Sequence, residues 1–136
     1  MTRINLVHPS KLCDQHLLAE LRELPRIPNG VISGRLKMRY VDAPARYVLG
    51  AGHVKFFVNK LRWLWMRYAA LMAEAKRRRF YVEDRFPVAE LQRMKLLESS
   101  VYTPSESEVA VNVARITERT PKMPRMYGRR VDHAAL

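Results

Sequence analysis

The sequence predicts an all-α fold, a single compact domain of about three helices joined by long irregular connections. Three observations favour this fold. One long segment repeats apolar residues with helical spacing, and two further segments carry the cap residues and prolines that delimit helices. The chain has 136 residues, close to the ~150 of a typical domain. We therefore expect residues 1–136 to form one domain.

The first predicted helix follows the segment His8-Pro9-Ser10. Ser10 is predicted as its N-cap, because a serine hydroxyl can accept a hydrogen bond from an amide of the first turn. The helix is expected to run from Lys11 to about Leu24. Pro25 should kink or end it, since proline lacks an amide hydrogen and clashes with the preceding turn.

The second predicted helix has the strongest pattern, with apolar residues from Val54 to Met72 recurring at spacings of three and four. It ends in a basic run over 76–79, which suits the negative end of a helix dipole. Its two tryptophans differ by about 200° around the helix axis. We therefore expect Trp65 to lie in the core and Trp63 to be exposed.

The third predicted helix begins at Ser105, which forms a capping box with Glu108, and continues to Thr120-Pro121. The connections between helices are expected to be irregular, including Pro28-Asn29-Gly30 and a basic loop over 35–46. Residues 121–136 contain prolines and several cations and have no helical period. They are predicted to form a basic extended tail.

The charge of the chain indicates its class of partner. There are 25 Lys and Arg against 13 Asp and Glu, giving a net charge of +12, which favours nucleic acid first and an anionic membrane second. The most apolar stretch, 61–72, is interrupted by Arg62 and Arg67 and is far shorter than the ~20 residues of a membrane span. A single cysteine, Cys13, excludes an internal disulfide and fits a reducing compartment. These features predict a soluble, cytoplasmic protein without a metal site. We also expect a monomer.

One face of the first helix carries candidate functional side chains. At 100° per residue, they share an arc of about 120°: Gln15, His16, Arg22, Glu23 and Arg26. A solvated polar face is the simpler interpretation. The alternative interpretation is a functional site, and it starts from Glu23. This acid lies among basic and hydrogen-bonding groups, where its negative charge would repel a polyanion. Glu20, nearer the core boundary, is the other candidate carboxylate.

The amino terminus offers a nucleophile of an unusual kind. The small side chain of Thr2 permits removal of Met1, which would leave a free α-amine at Thr2. Such an amine has a pKa of ~7.7 to 8.0 against ~10.4 for a lysine. A useful fraction is therefore uncharged at neutral pH and able to attack an electrophilic carbon.

Several blocks of sequence stand out along the first 61 residues. They are Met-Thr-Arg-Ile-Asn-Leu at 1–6, Asp-Gln-His-Leu at 14–17, Arg-Glu-Leu-Pro-Arg at 22–26 and Leu-Gly-Ala-Gly-His-Val at 49–54. In this order and register the blocks closely resemble the pyrimidine-dimer DNA glycosylase and abasic-site lyase family, with weaker agreement at Pro121 and at Tyr127-Gly128. The family fold, a compact domain of three helices, agrees with the segments predicted above.

The resemblance implies roles for individual residues. The α-amine of Thr2 would attack the sugar C1′ of the damaged nucleotide and form an imine, Glu23 would be the catalytic carboxylate, and β-elimination would then nick the strand. No cofactor is implied. The substrate would be kinked double-stranded DNA that contains a damaged pyrimidine or an abasic site, with the opposite base flipped out. The residues expected to hold this DNA are Arg3, Gln15, His16, Arg22 and Arg26.

The tail differs from the aromatic-rich tail of the family. Met123, Pro124 and Met126 stand where aromatic residues are expected, which leaves Tyr127 as the aromatic contact and Arg125 as a phosphate contact. Two alternative functions therefore remain open. One is a non-catalytic basic DNA-binding protein of the same fold, and the other is a glycosylase and lyase for a different damaged base.

Overall fold

The computed structural model describes residues 2–98 and 102–130. Within these ranges it contains six α-helices and one two-stranded antiparallel hairpin. The helices are α1 Asp14–Glu23, α2 Arg26–Ile32, α3 His53–Phe57, α4 Leu61–Arg77, α5 Val88–Arg93 and α6 Glu106–Arg119, and the strands are β1 Arg125–Met126 and β2 Arg129–Arg130. The prediction of an all-α fold is confirmed. Among the described residues, no helix is long and apolar enough to span a bilayer.

The start of the first helix was predicted wrongly. Pro9–Lys11 forms only a single 3₁₀ turn, capped by the side chain of His8, and Leu12 is extended. Cys13, not Ser10, precedes the first residue of α1. The break turns Leu12 and Cys13 inward, and both are buried. Burial of these two side chains thus outweighs the local preference for continuing the helix.

The region after Pro25 is helical, contrary to the prediction of an irregular connection. The proline ends α1 as expected, but α2 begins directly after it and contains Pro28, Asn29 and Gly30. Pro28 lies in the first turn, where an amide hydrogen is not needed. Glycine inside a helix costs roughly 0.5–1 kcal/mol relative to alanine. Here a Cβ on Gly30 would lie 2.7 Å from both the Arg35 side chain and the Leu36 side chain.

The second predicted helix is divided into α3 and α4. Phe56, Phe57, Val58 and Leu61, on either side of the break at 58–60, are all buried. The Lys60 ammonium donates a hydrogen bond of 2.8 Å to the Phe56 carbonyl, satisfying a backbone group freed by the break. Trp63 is half-buried and stacks on Phe57, with ring centroids 5.5 Å apart, so the expectation of an exposed Trp63 was wrong.

The third predicted helix is confirmed as α6, including the reciprocal capping box of Ser105 and Glu108. Helix α5 was not predicted. Of the predicted extended tail, residues 121–130 are described, and they form the β1–β2 hairpin with Arg125 paired opposite Arg130. Residues 131–136 of that prediction lie outside the described residues. Helix α1 packs against α4 over one hydrophobic core, which positions the polar face of α1 beside α6 and the hairpin.

Candidate active site and nucleic-acid interface

The N-terminal segment is an extended chain whose backbone is held by side chains from elsewhere in the fold. The Ile4 amide donates to His53 Nε2 at 2.9 Å, and the Tyr47 hydroxyl donates to the Ile4 carbonyl at 2.8 Å. The Leu6 amide donates to Asn112 Oδ1 at 2.7 Å. These bonds replace the β-ladder that an extended segment would otherwise need. They fix the course of the chain that leads to Thr2.

His53 is suited to this role because it is neutral. Its Nδ1 donates to the Val48 carbonyl at 2.7 Å, so its Nε2 is left as the acceptor for Ile4. Burial lowers the pKa of His53 and disfavours the imidazolium form. The histidine is therefore a packing and positioning residue of α3.

Glu23 lies beside the peptide unit that joins Thr2 to Arg3. Its Oε1 accepts a hydrogen bond of 3.0 Å from the Arg3 amide. Its Oε2 is 3.7 Å from Arg22 Nη2, and the side chain is 16% exposed. The structure thus brings together two residues that are 21 positions apart in the sequence, the proposed nucleophile and the proposed carboxylate.

Two cavities meet at Arg3. The smaller cavity, about 90 Å³, is lined by Thr2 and Arg3, by residues at and before the start of α3, and by Arg115 of α6. The larger, about 200 Å³, is lined by Arg3, Glu23 and His16 among others. Thr2 thus lines the smaller cavity and Glu23 the larger, and Arg3 lines both.

The other candidate carboxylate, Glu20, also lines the larger cavity but has its oxygens engaged. Arg67 donates to both of them, at 2.8 and 2.9 Å, and Asn5 Nδ2 donates to Oε1 at 2.8 Å. Glu20 is 1% exposed. A third Arg67 nitrogen donates to the Val7 carbonyl. Glu20 therefore anchors the N-terminal segment to α4, and Glu23 is the more accessible acid.

A cluster of cations surrounds the proposed nucleophile. Burial lowers the pKa of Arg3, and the positive charges of Arg115 and Arg119 lower it further. Arg115 and Arg119 were missed in the sequence. Their signal would have been the i, i+4 spacing on the third predicted helix, which puts two cations on one face. Such a cluster attracts phosphate groups.

Gln15 and His16 make intramolecular hydrogen bonds. Gln15 Nε2 donates to the Met123 carbonyl at 2.9 Å, and its Oε1 accepts from the Arg125 amide at 3.0 Å. His16 Nε2 donates to the Arg119 carbonyl at 3.1 Å. A hydrogen bond with Cys13 raises the pKa of His16. Both side chains tie the C-terminal segment to α1, and their contacts with DNA stay a prediction.

The hairpin is anchored to α1 and α4 through charged groups. Asp14 accepts hydrogen bonds from the Tyr127 and Gly128 amides at 3.0 and 2.7 Å. Asp14 also pairs with buried Arg78 at 2.9 Å. The Tyr127 hydroxyl donates to Glu74 at 2.9 Å, while the ring is 49% exposed. The hairpin therefore presents Tyr127 in a fixed orientation, with the exposed Arg125 beside it.

The remaining predicted DNA contacts, Arg22 and Arg26, are exposed at the junction of α1 and α2. Cys13 is a free, buried thiol. Within residues 2–98 and 102–130, no three side chains of His, Cys, Asp or Glu converge as they would around a metal ion.

Comparison with protein families identifies the chain. A family model described as pyrimidine dimer DNA glycosylase matches residues 1–87. The match covers well over half of the chain and includes the N-terminal segment, all of α1 to α4, and both Thr2 and Glu23. The family acts on DNA that contains pyrimidine dimers. From this match and the site described above, the chain belongs to the pyrimidine dimer DNA glycosylase family.

Proposed function

We propose that the chain both removes a base at a pyrimidine dimer and cleaves the strand at the resulting abasic site. The α-amine of Thr2 is the nucleophile and Glu23 is the catalytic carboxylate. The observation that carries the proposal is the 3.0 Å hydrogen bond from the Arg3 amide to Glu23. This bond supports the pairing of the Thr2 amine with the Glu23 carboxylate, because the Arg3 amide belongs to the peptide bond formed by Thr2 itself.

In the first step, the neutral amine attacks the sugar C1′ and a C–N bond forms. The glycosidic bond breaks, the base leaves with the electron pair and takes up a proton, and the amine loses one. The nitrogen lone pair then forms a C=N bond as the C1′–O4′ bond breaks, and O4′ keeps the electron pair of that bond and takes up a proton, which gives the protonated imine. An α-amine with a pKa of ~7.7 to 8.0 supplies enough of the neutral form for this chemistry at neutral pH.

In the second step, the imine withdraws electrons and acidifies the C2′ proton. Loss of that proton leaves an electron pair that forms a C–C double bond as the C3′–O bond breaks. The 3′-phosphate departs with the other electron pair, and hydrolysis of the imine returns the amine. Glu23 stabilises the positive charge that develops on the sugar and accepts or returns the protons.

The cations near the site hold the substrate in place. Arg3, with Arg115 and Arg119 on α6, provides positive charge next to Thr2, and the exposed Arg22 and Arg26 continue it along α1 and α2. We assign Gln15, His16, Arg125 and Tyr127 to the same interface, acting through the hairpin that they fix. The proposal is of a monomer acting on double-stranded DNA.

A binding and cleavage comparison of Glu23→Gln tests the role of the carboxylate. The variant should bind a dimer-containing duplex as tightly as the unchanged protein, because the amide oxygen still accepts from Arg3. Strand cleavage should fall by about 10²-fold or more, the usual effect of removing a general acid or base. Glu98→Gln, an exposed glutamate, is the isosteric control and should cleave normally. Equal losses of binding and cleavage would show Glu23 to be structural.

The substrate is tested with matched duplexes. Nicking should be faster on a duplex that carries a pyrimidine dimer than on one that carries an oxidised base. The reverse order would favour the alternative of a different damaged base. Binding to both duplexes without any nicking would favour a non-catalytic DNA-binding protein.

A further inference from the structure

Four exposed arginines line one cleft at the junction of α1 and α2. The cleft has a volume of about 450 Å³, and its arginines are Arg22, Arg26, Arg35 and Arg85. Among the residues that the structure describes, no acidic side chain lines it. Arg35 lies in the loop after α2 and Arg85 in the loop before α5. The fold therefore adds two distant cations to the Arg22–Arg26 pair.

Arg35 has a defined position in the cleft. Its Nη2 donates to the Arg26 carbonyl at 3.1 Å, and the neighbouring Leu36 amide donates to the Gly30 carbonyl at 2.9 Å. A Cβ at Gly30 would lie 2.7 Å from Arg35 Nη2. Glycine at this position of α2 is what allows the guanidinium to fold back over the helix. The remaining guanidinium donors of Arg35 are then available to a ligand.

Two of the cleft arginines have a carboxylate neighbour. Glu23 is 3.7 Å from Arg22, and Glu83 is 3.4 Å from Arg85 in a pair whose side chains are about 70% exposed. The exposed Arg85–Glu83 pair is weak and is readily exchanged for a stronger partner. Among the described residues, the side chains that line the cleft are cationic or uncharged, so the groove is positive and open.

We propose that this cleft binds the phosphodiester backbone of the DNA strand next to the reacting nucleotide, with Arg35 and Arg85 as phosphate ligands. The location rests on the proposed function, because Arg22 connects the cleft to Glu23. Guanidinium groups suit this ligand, since their planar donors match phosphate oxygens in pairs. The cleft is open and polar, as fits a continuous backbone more than an enclosed small molecule.

The test measures binding to a short duplex that carries one tetrahydrofuran analogue of an abasic site, which cannot form an imine. Arg35→Gln and Arg85→Gln should each weaken binding roughly tenfold at physiological salt. Each should also make the dependence of the logarithm of the binding constant on the logarithm of the salt concentration shallower by about 0.9, the value for one lost phosphate contact. Arg62→Gln removes the same charge from an exposed arginine on α4, outside the cleft, and should leave the slope unchanged.

Gly30→Ala tests the geometry without a change of charge. The added methyl group displaces the Arg35 guanidinium, so binding should weaken as in Arg35→Gln while Arg85→Gln still adds its own loss. Thermal unfolding identifies any variant that fails to fold, and Arg85→Gln then carries the test. If Arg35→Gln and Arg85→Gln keep the affinity and the salt slope of the Arg62→Gln control, the proposal is overturned.

The test is independent of catalysis by Thr2 and Glu23. If the amine chemistry is wrong, the chain will fail to nick DNA, but the cleft variants will still alter the salt slope. If the cleft is wrong, the variants will bind like the unchanged protein and nicking will persist.

Discussion

Replacement of Arg67 by methionine should sharply destabilise the fold. Arg67 donates to both oxygens of Glu20, at 2.8 and 2.9 Å, and to the Val7 carbonyl. The two side chains are 6% and 1% exposed. Methionine fills much of the same volume but leaves Glu20 as a buried charge whose remaining side-chain donor is Asn5. Breaking a buried pair by removing one partner costs about 3–5 kcal/mol.

The assay is urea unfolding followed by far-UV circular dichroism, with the free energy of unfolding extrapolated to water. Arg77→Met is the matched control on the same helix. Arg77 pairs with Glu74 at 2.8 Å but is 59% exposed, and Glu74 keeps its bond to Arg78. The control should therefore lose less than about 1 kcal/mol.

A double variant separates the cost of a stranded charge from the loss of packing. Glu20→Met combined with Arg67→Met removes both charges, so it should be more stable than Arg67→Met alone. A loss below about 1 kcal/mol for Arg67→Met, or additive losses in the double variant, would show that Glu20 and Arg67 are not coupled as a buried ion pair.

Two further predictions concern the hydrogen bonds that hold the N-terminal segment and the β1–β2 hairpin in place. Burial lowers the pKa of His53 in the fold. Below the ordinary histidine pKa of about 6.5, the unfolded chain therefore binds more protons than the folded chain. The free energy of unfolding should then decrease with falling pH, by up to about 1.4 kcal/mol per pH unit. His53→Gln, which can still accept from Ile4, should flatten that part of the stability profile; an unchanged profile would contradict a buried neutral histidine. Asp14→Ala removes the acceptor for the two hairpin amides at 127–128. Tryptic cleavage after the hairpin arginines should accelerate at least tenfold, since one charge-assisted hydrogen bond contributes ~1.5–3 kcal/mol. Cleavage in the loop 35–46 should keep its rate. Equal acceleration at both places would indicate general unfolding instead.

The helices that local sequence specifies were predicted well. The capping box at Ser105 and the stop at Pro121 delimit α6 because both signals act within one turn of the chain. The break between α3 and α4 was not predictable in the same way. Apolar spacing continues through 58–60. Phe56, Phe57 and Leu61, which pack into one core, would share an arc of about 140° in an unbroken helix, so their spacing carries no signal of the break.

The buried polar network shows a second limit. Arg67 interrupts an apolar stretch and was interpreted as a reason against a membrane span, yet it is buried beside Glu20. Its position, between the buried Leu64 and Leu71 on the same face of α4, was the available signal. Asn112, on the inward face of α6, likewise binds the backbone of the N-terminal segment. A partner 47 positions away, as in Glu20–Arg67, has no local signature.

The candidate site was predictable in part from the helix face and from the resemblance. The helix face gives Glu23 with Glu20 as the alternative, and the resemblance gives Glu23. The fold adds the contact that brings Glu23 to Arg3. The hydrogen bonds of Gln15 to the backbone at 123 and 125 were not predictable. They depend on where the tail turns back, and the tail sequence has no strong period.

The attacking nitrogen is identified most directly by reduction with borohydride during reaction with an abasic duplex, followed by peptide mapping. Reduction converts an imine into a stable amine, so the adduct marks the nitrogen that attacked. One covalent adduct is expected, on the peptide whose first residue is Thr2, and it should be lost when the α-amine is blocked by acetylation. An adduct on a lysine peptide, or none with protein that begins at Thr2, would exclude the Thr2 amine as the nucleophile.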